Sequence, residues 1–389
     1  MPINTNFLII GAGPFGLSMS AFCLQNSINH IIVGKSMDFW KNNMPTGMKL
    51  RSAFDWHLDP GGIDTFEKFM HERGSNPDDY RPVPLELYLE YADWFSKQKN
   101  INPINNMVTK LDYDEANSEF TAEMDNGEEI ISKNVLLAVG FKYFKNIPTE
   151  FSKQIPEDKY THTCDIKSFD RFKDKRCLIV GGRMSAFESA ALLNESGAKE
   201  VYMSFRHNTP EFIESEWDWV TPLLEKMAEN PDWYINLDES EKDKIGKRFF
   251  GEGRLKMEPW LKPRLEHIHI LPDTEINEII ISENNGLKVN FNCGDHISVD
   301  HVILATGYKV NINDINFINK GNILETLKAN SGYPELDSHM QTSIPGLYAT
   351  SMLATRDFGL FFGFTVSVNT SSKIIGKHML KKKKDKNDK

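Results

Sequence analysis

NFLIIGAGPFGLSMS, residues 6–20, runs from an apolar strand through a glycine turn into a helix. Gly11 permits the tight turn, Gly13 lets backbone approach a pyrophosphate, and Gly16 lets the helix pack closely on the strand. The helix then offers unpaired N–H groups and the positive end of its dipole to phosphate. An ordinary glycine-rich loop is the alternative, but a strand before and a helix after favour a nucleotide site, with Pro14 and Phe15 among its contacts.

A second unit follows the same plan: RCLIV at 176–180, GGRMSA at 181–186 and FESAALLNESG at 187–197. Each unit leads into another apolar strand, HIIV at 30–33 and EVYMSF at 200–205. The chain is therefore α/β, with two Rossmann-like dinucleotide-binding domains. In the second turn Gly181, Gly182, Ser185 and Ala186 keep the pattern, whereas Arg183 takes the middle-glycine position. A side chain there stands where backbone should approach the pyrophosphate, although a guanidinium could itself pair with phosphate. Arg206 and His207 stand where a carboxylate would select a ribose 2′-hydroxyl. Arginine there suits a 2′-phosphate and points to NADP; a surface arginine at a strand end is the alternative.

The first unit departs from the pattern in HIIVGKSMDFW, residues 30–40, where Gly34 and Lys35 replace the expected acid. The ribose would then be held by Lys35 or Ser36 donating, by a backbone carbonyl, or by water. Lys35 meeting a 2′-phosphate is the competing reading, and the order of parts along the chain argues against it.

At 389 residues the chain suggests two or three domains. Its 40% apolar and 26% charged residues fit a soluble globular protein, and a net charge of −10 argues against nucleic acid as a partner. Cys23, Cys164, Cys177 and Cys293 form neither a CxxC pair nor a zinc pattern, so no metal and no dithiol mechanism is expected. NFLIIGAG runs straight into the glycine turn without a signal peptide, and no apolar run reaches the roughly 18 residues that cross a bilayer. A cytoplasmic location with no membrane partner follows. RPVPLELYLEYADWF reads as a helix, residues 208–265 as a largely helical insertion within the second domain, and SVNTSSKIIGKHML as the last helix. KKKKDKNDK, 381–389, reads as a solvated, disordered tail.

DHVILATGY, residues 300–308, resembles the D-x3-L-ATGY signature of class B flavin monooxygenases, the flavin-containing and N-hydroxylating enzymes. The two glycine turns in order, Leu137-Ala138-Val139-Gly140, and Ile344-Pro345-Gly346-Leu347-Tyr348 are similar to the same two-dinucleotide flavoproteins. The resemblance spans nearly the whole chain. It implies an FAD domain in two parts, 1–165 and 300–380, with an NADPH domain, 166–299, inserted between them. Besides the first turn, the FAD contacts it implies are Trp40, Arg51, Ser52, Val108, Ala138 and Gly140, then Ala305, Thr306, Gly307 and Tyr308, and Ser351, Gly359 and Phe362 in SMLATRDFGLFFGF. The usual Gly-Asp pair ahead of that segment is replaced by Thr350-Ser351.

The chemistry so implied is hydride transfer from NADPH to FAD, addition of O2 to reduced flavin at C4a, and oxidation of nitrogen or sulfur in a small-molecule substrate. The Baeyer-Villiger fingerprint FxGxxxHxxxW is missing near residues 141–183, which counts against ketone oxygenation. MPTGMKLRSAFDWHLDP, 44–60, resembles segments lining the flavin in related oxidoreductases; Arg51 and His57 are the catalytic candidates, and Trp56 and His57 could face substrate. A hydrogen-bonded structural role is the alternative for His57, and Trp217 and Trp219 read as core. Rival activities are an NADPH-dependent flavin reductase serving a quinone, a disulfide or a protein partner, and a non-catalytic flavin-binding sensor. Oligomeric state is not readable.

Overall fold

The computed structural model describes residues 1–282 and 285–387. Its first sheet is built from β1 (Ile3–Ile10), β2 (His30–Val33), β3 (Val108–Asp114), β4 (Glu119–Met124) and β5 (Glu129–Leu137), in the order β2-β1-β5-β4-β3. α1 (Pro14–Gln25) connects β1 to β2 in parallel, and β3 to β5 form an antiparallel meander. Phe7 to Ile10 are all buried, as a parallel strand covered on both faces requires.

The second sheet comprises β6 (Tyr160–His162), β7 (Arg176–Val180), β8 (Glu200–Ser204), β9 (His269–Leu271) and β10 (His301–Leu304). It runs β9-β8-β7-β10-β6 and every pairing is parallel. α2 (Met184–Glu195) connects β7 to β8.

This topology corrects the domain boundaries. The ATGY strand, β10, pairs with β7 in the second sheet, and β6 joins it there, so neither 165/166 nor 299/300 divides the domains. The strand that returns to the first sheet is β11 (Leu347–Ala349), from the IPGLY segment, parallel to the end of β5. Two adjacent crossings link the domains: Asn146 N–H donates to Gly307 O at 3.0 Å, and Lys309 N–H to Phe144 O at 2.8 Å.

The insertion is helical as expected, with α3 (Val220–Glu229) and α4 (Glu239–Phe250). It packs, however, on the first domain. Val220, Leu224, Met227 and Phe249 share a core with Phe361 and Val368, and Lys377 donates to Ala228 O at 2.9 Å. The last helix, α5 (Val368–Asn387), lies against α1, with Gly376 seated on the Phe22 ring. It continues through most of the expected tail; residues 388 and 389 fall outside the described residues. No described helix is long and apolar enough to cross a membrane.

Both units place a glycine at positive φ against a neighbouring crossing. A Cβ at Gly11 (φ 115°) would lie 2.3 Å from Ala138 O, and one at Gly181 (φ 139°) 2.5 Å from Ala305 O. Gly11→Ala is expected to lower stability by more than ~2 kcal/mol in urea unfolding, while Gly127→Ala costs about 1 kcal/mol. Gly127 has positive φ but open space around it, so the comparison separates contact from conformation.

Candidate dinucleotide cleft

The two glycine turns open onto one continuous cleft of about 560 Å³ between the domains. At the first turn the glycines divide their work. Gly11 and Gly16 are pressed against backbone, a Cβ at Gly16 falling 1.8 Å from Gly11 O, whereas a Cβ at Gly13 would meet nothing within 4 Å. Gly13 is the N-cap of α1, with Pro14 at its first turn, and Gly11, Gly13, Pro14 and Phe15 line the cleft. A bare backbone facing open space at a helix N-terminus fits a diphosphate.

The second turn is more crowded. A Cβ at Gly182 would lie 2.5 Å from the Phe205 ring, so this glycine serves packing. Arg183 is the N-cap of α2; its Nη1 donates to Arg254 O at 2.8 Å and its guanidinium lies 5.0 Å from the Phe250 ring. The arginine thus leans on the insertion, leaving Ser185 to line the cleft beside it. Gly181 and Ala186 sit behind, packed against Ala305 and in the core respectively. Arg206 is exposed beyond β8 and lies away from the cleft.

Gly34 (φ 123°) has its N–H bonded to Ile104 O, and Lys35 follows it along the cleft wall; Ser36 faces only an adjoining groove. The first carboxyl group after Gly34 stands four residues on. Asp38 lines the cleft and accepts from Lys142 Nζ and Asn42 Nδ2, both at 2.8 Å. Burial pushes its carboxyl up, but the bonds from Lys142 and Asn42 outweigh this and hold it below the usual range.

Trp40, Ser52, Val108, Ala138, Gly140, Gly307, Tyr308 and Ser351 all line the cleft, while Thr306 is tied to Asn146 at the crossing. Ser52 Oγ lies 2.9 Å from Thr365 Oγ1. Phe362 and Gly359 do not reach the cleft. Phe362 is fully buried against Phe358, and Gly359 abuts Tyr234; Leu360 and residues 363–366 line the wall instead.

Both catalytic candidates are engaged in hydrogen bonds within the protein. Arg51 borders the cleft, but Nε donates to Glu258 at 2.8 Å, Nη1 to Gly253 O at 3.1 Å, and Nη2 to Glu252 O at 3.1 Å and to Ser215. It anchors the insertion. His57 lies outside the cleft lining; its Nδ1 accepts from Asp59 N–H at 3.2 Å and Asn369 Nδ2 at 3.3 Å, and burial lowers its pKa. The hydrogen-bonded structural role is the one seen. Trp56 and Trp217 line the cleft, Trp217 while also packing on the core as its reading had it, whereas Trp219 packs on the same core and lies against Arg248 away from the cleft.

Two buried groups were not singled out in the sequence. Of the four free cysteines only Cys164 lines the cleft; burial and the neighbouring Asp165 push its thiol up to about 12, and His162 Nδ1 lies 3.0 Å from its sulfur. Glu188, on α2 and 2% exposed, accepts from Lys49 N–H. Burial raises its carboxyl from 4.5 to about 8, more than that bond lowers it.

A family model described as pyridine nucleotide-disulphide oxidoreductase matches residues 8–236, and a second of the same description matches 251–354. The probable indole-3-pyruvate monooxygenase YUCCA10 of Arabidopsis thaliana is 27% identical over 338 residues, covering 80% of this chain and 83% of the relative. Trimethylamine monooxygenase of Pelagibacter ubique is 26% identical over 229 residues, covering 52% of this chain and 51% of its own. Among solved structures, the ornithine N-hydroxylase of Kutzneria sp. 744 superposes with a TM-score of 0.80 at 14% identity, over 98% of this chain and 100% of that one.

The raised Glu188 pKa makes stability depend on pH. The folded state prefers the protonated carboxyl, so its contribution is complete below 4.5 and is lost as pH rises toward 8. Glu188→Gln keeps the acceptor and removes the proton. Its melting temperature is expected to pull ahead of the parent's as pH rises from 4.5 to about 8; a gap constant over that range contradicts the assignment.

Proposed function

The chain belongs to the pyridine nucleotide-disulphide oxidoreductase family, and we propose that within it the protein is an FAD- and NADPH-dependent monooxygenase oxidising nitrogen or sulfur in a small molecule. NADPH and one proton supply two electrons; one atom of O2 joins the substrate and the other leaves as water. The observation that carries this reading is the single cleft joining both glycine turns, which lets two dinucleotides meet.

A bound flavin supplies the hydride acceptor and the activation of O2. The chain's residues bind and orient. Backbone at Gly13 and the α1 N-terminus receive the FAD diphosphate, Asp38 accepts from the ribose hydroxyls with Lys35 beside it, and Val108 borders the adenine. Ser52, Ser351 and residues 363–366 flank the ring system. Ser185 and the Arg183 and Arg254 guanidinium groups receive the NADPH phosphates. The insertion, held by Arg51, walls this end of the cleft from water. A cytoplasmic location belongs to the same proposal and suits the buried thiols Cys23, Cys164 and Cys177.

Cys164 is the observation that favours a disulfide reductase. Its raised pKa leaves it as the unreactive thiol, and none of the other three cysteines reaches the cleft to resolve a mixed disulfide.

Two measurements test the assignment. Asp38→Asn is expected to raise the FAD dissociation constant about tenfold, read by flavin fluorescence on release; unchanged affinity removes Asp38 from the ribose site. NADPH is expected to bleach the bound flavin anaerobically and to be consumed further only on admitting O2. Sustained anaerobic turnover with menadione or a disulfide, without oxygen uptake, would overturn the monooxygenase.

A further inference from the structure

Spacing along the second unit puts a 2′-phosphate reader at Arg206, with His207 beside it. The structure closes that position. Arg206 is exposed and stands outside the cleft. The Phe205 and His207 rings, 4.7 Å apart, fold over the glycine turn, where a Cβ on Gly182 would lie 2.5 Å from Phe205 and 2.6 Å from His207 Nε2. His207 Nδ1 donates to Asn208 O at 2.7 Å, so the ring proton is on Nδ1 and Nε2 carries a lone pair. Nε2 is buried and has no partner among the described residues. A bare acceptor repels a phosphate oxygen and cannot hold one.

The insertion offers what the end of β8 does not. Arg254 stands in a single π-helical turn, Gly251–Leu255, a distortion that recurs at functional positions. It lines the cleft, and its guanidinium has no hydrogen-bond, ion-pair or ring partner among the described residues. The charged groups beside it are the guanidinium groups of Arg183 and Arg51. Arg51 is neutralised by Glu258 at 2.8 Å, and Glu252, two positions before Arg254, is taken through both oxygens by Lys256 at 2.8 Å. Arg183 and Arg254 are thus adjoining cations without a carboxylate, an arrangement that costs free energy until an anion joins them. The α2 N-terminus, with Arg183 as its cap and Ser185 in its first turn, meets the diphosphate. Arg254 is left for the remaining phosphate, the one on the adenosine 2′-oxygen.

The turn that carries Arg254 is fixed before any ligand arrives. A Cβ on Gly253 would lie 3.1 Å from the Trp217 ring, and Arg51 donates to the Glu252 and Gly253 carbonyls at 3.1 Å each. Arg51 is the positioning residue here, and a backbone ordered in advance costs less to bind with.

We propose that Arg254, on the insertion, selects NADPH over NADH by pairing with its 2′-phosphate, and that the end of β8 takes no part. This rests on the NADPH site of the proposed function and extends it from phosphate binding at large to the choice between two cofactors.

Calorimetry on FAD-loaded protein with adenosine 2′,5′-bisphosphate and with AMP isolates that phosphate, because the two probes differ in nothing else. The parent is expected to bind the bisphosphate about tenfold more tightly than AMP. Arg254→Gln is expected to close that gap to within about twofold with AMP affinity retained, and Arg206→Gln to leave it open. Arg254→Lys, which keeps the charge and loses the fork, is expected to restore part of the gap and guards against a collapse of the turn, with FAD content reporting folding throughout. A parent that binds both probes equally, a gap closed by Arg206→Gln, or a gap left open by Arg254→Gln overturns the proposal. FAD-loaded parent that binds neither probe overturns the NADPH site and the proposal together. The expected pattern in a protein without substrate-dependent oxygen uptake upholds Arg254 and removes the monooxygenase reading.

Discussion

One close approach, made twice, organises the molecule. At the end of β1 the Gly11 N–H donates to Val33 O, and the Ala138 N–H donates back to Ile10 O, both at 2.9 Å. At the end of β7 the Gly181 N–H donates to Ser204 O and the Ala305 N–H to Val180 O, again at 2.9 Å. In each unit a parallel strand, a glycine turn and a crossing are locked into contact too tight for a Cβ. The crossings that begin at Ala138 and Ala305 then hydrogen-bond to each other. The two turns are thereby set toward a common cleft by backbone geometry, before any side chain contributes.

What closes that cleft is long-range. Arg51 sits in the first domain and holds Glu258, Ser215 and two carbonyls of the insertion. The Arg51 and Glu258 side chains are only 15% and 16% exposed, so this ion pair is screened far less than a surface bridge. Removing one partner from such a pair strands the other without compensation. The insertion brings Trp217 and Phe249 to the site while its apolar face joins the core around Phe361. The helices that wall this part of the cleft are therefore cemented to the first domain, although the chain enters them from the other one.

Local pattern was legible in the sequence and partnership was not. Apolar runs ending in glycines disclosed β1, β7 and their helices, because burial on both faces demands continuous hydrophobicity. HVIL at 301–304 announces a strand equally well, but its side chains carry no record of which sheet it enters, and it joined β7. Spacing put an acid at position 34, where Gly34 stands; the turn through positive φ at Gly34 and Met37 brings Asp38 to the cleft wall. The hold of Arg51 on the insertion was hidden because its partners at Glu252 and Glu258 lie about 200 positions away, beyond any local rule. Trp217 packs on the core beside Phe249 and lines the cleft as well, so its reading as core caught one of its two roles.

Charge completes the logic of the cleft. The chain carries a net −10, yet the cleft shows six cationic side chains against two carboxyl groups, one paired with Lys142 and one favouring its proton up to about pH 8. A negative surface around a positive, partly desolvated cleft concentrates field lines there, and anionic dinucleotides are drawn to the opening rather than to the surface at large. Protonation of Glu188 matters to this balance: ionised, it would place an uncompensated negative charge beside Ser185 and the second turn. Burial of that carboxyl, which outweighs the Lys49 N–H bond, keeps the wall of the cleft of one sign.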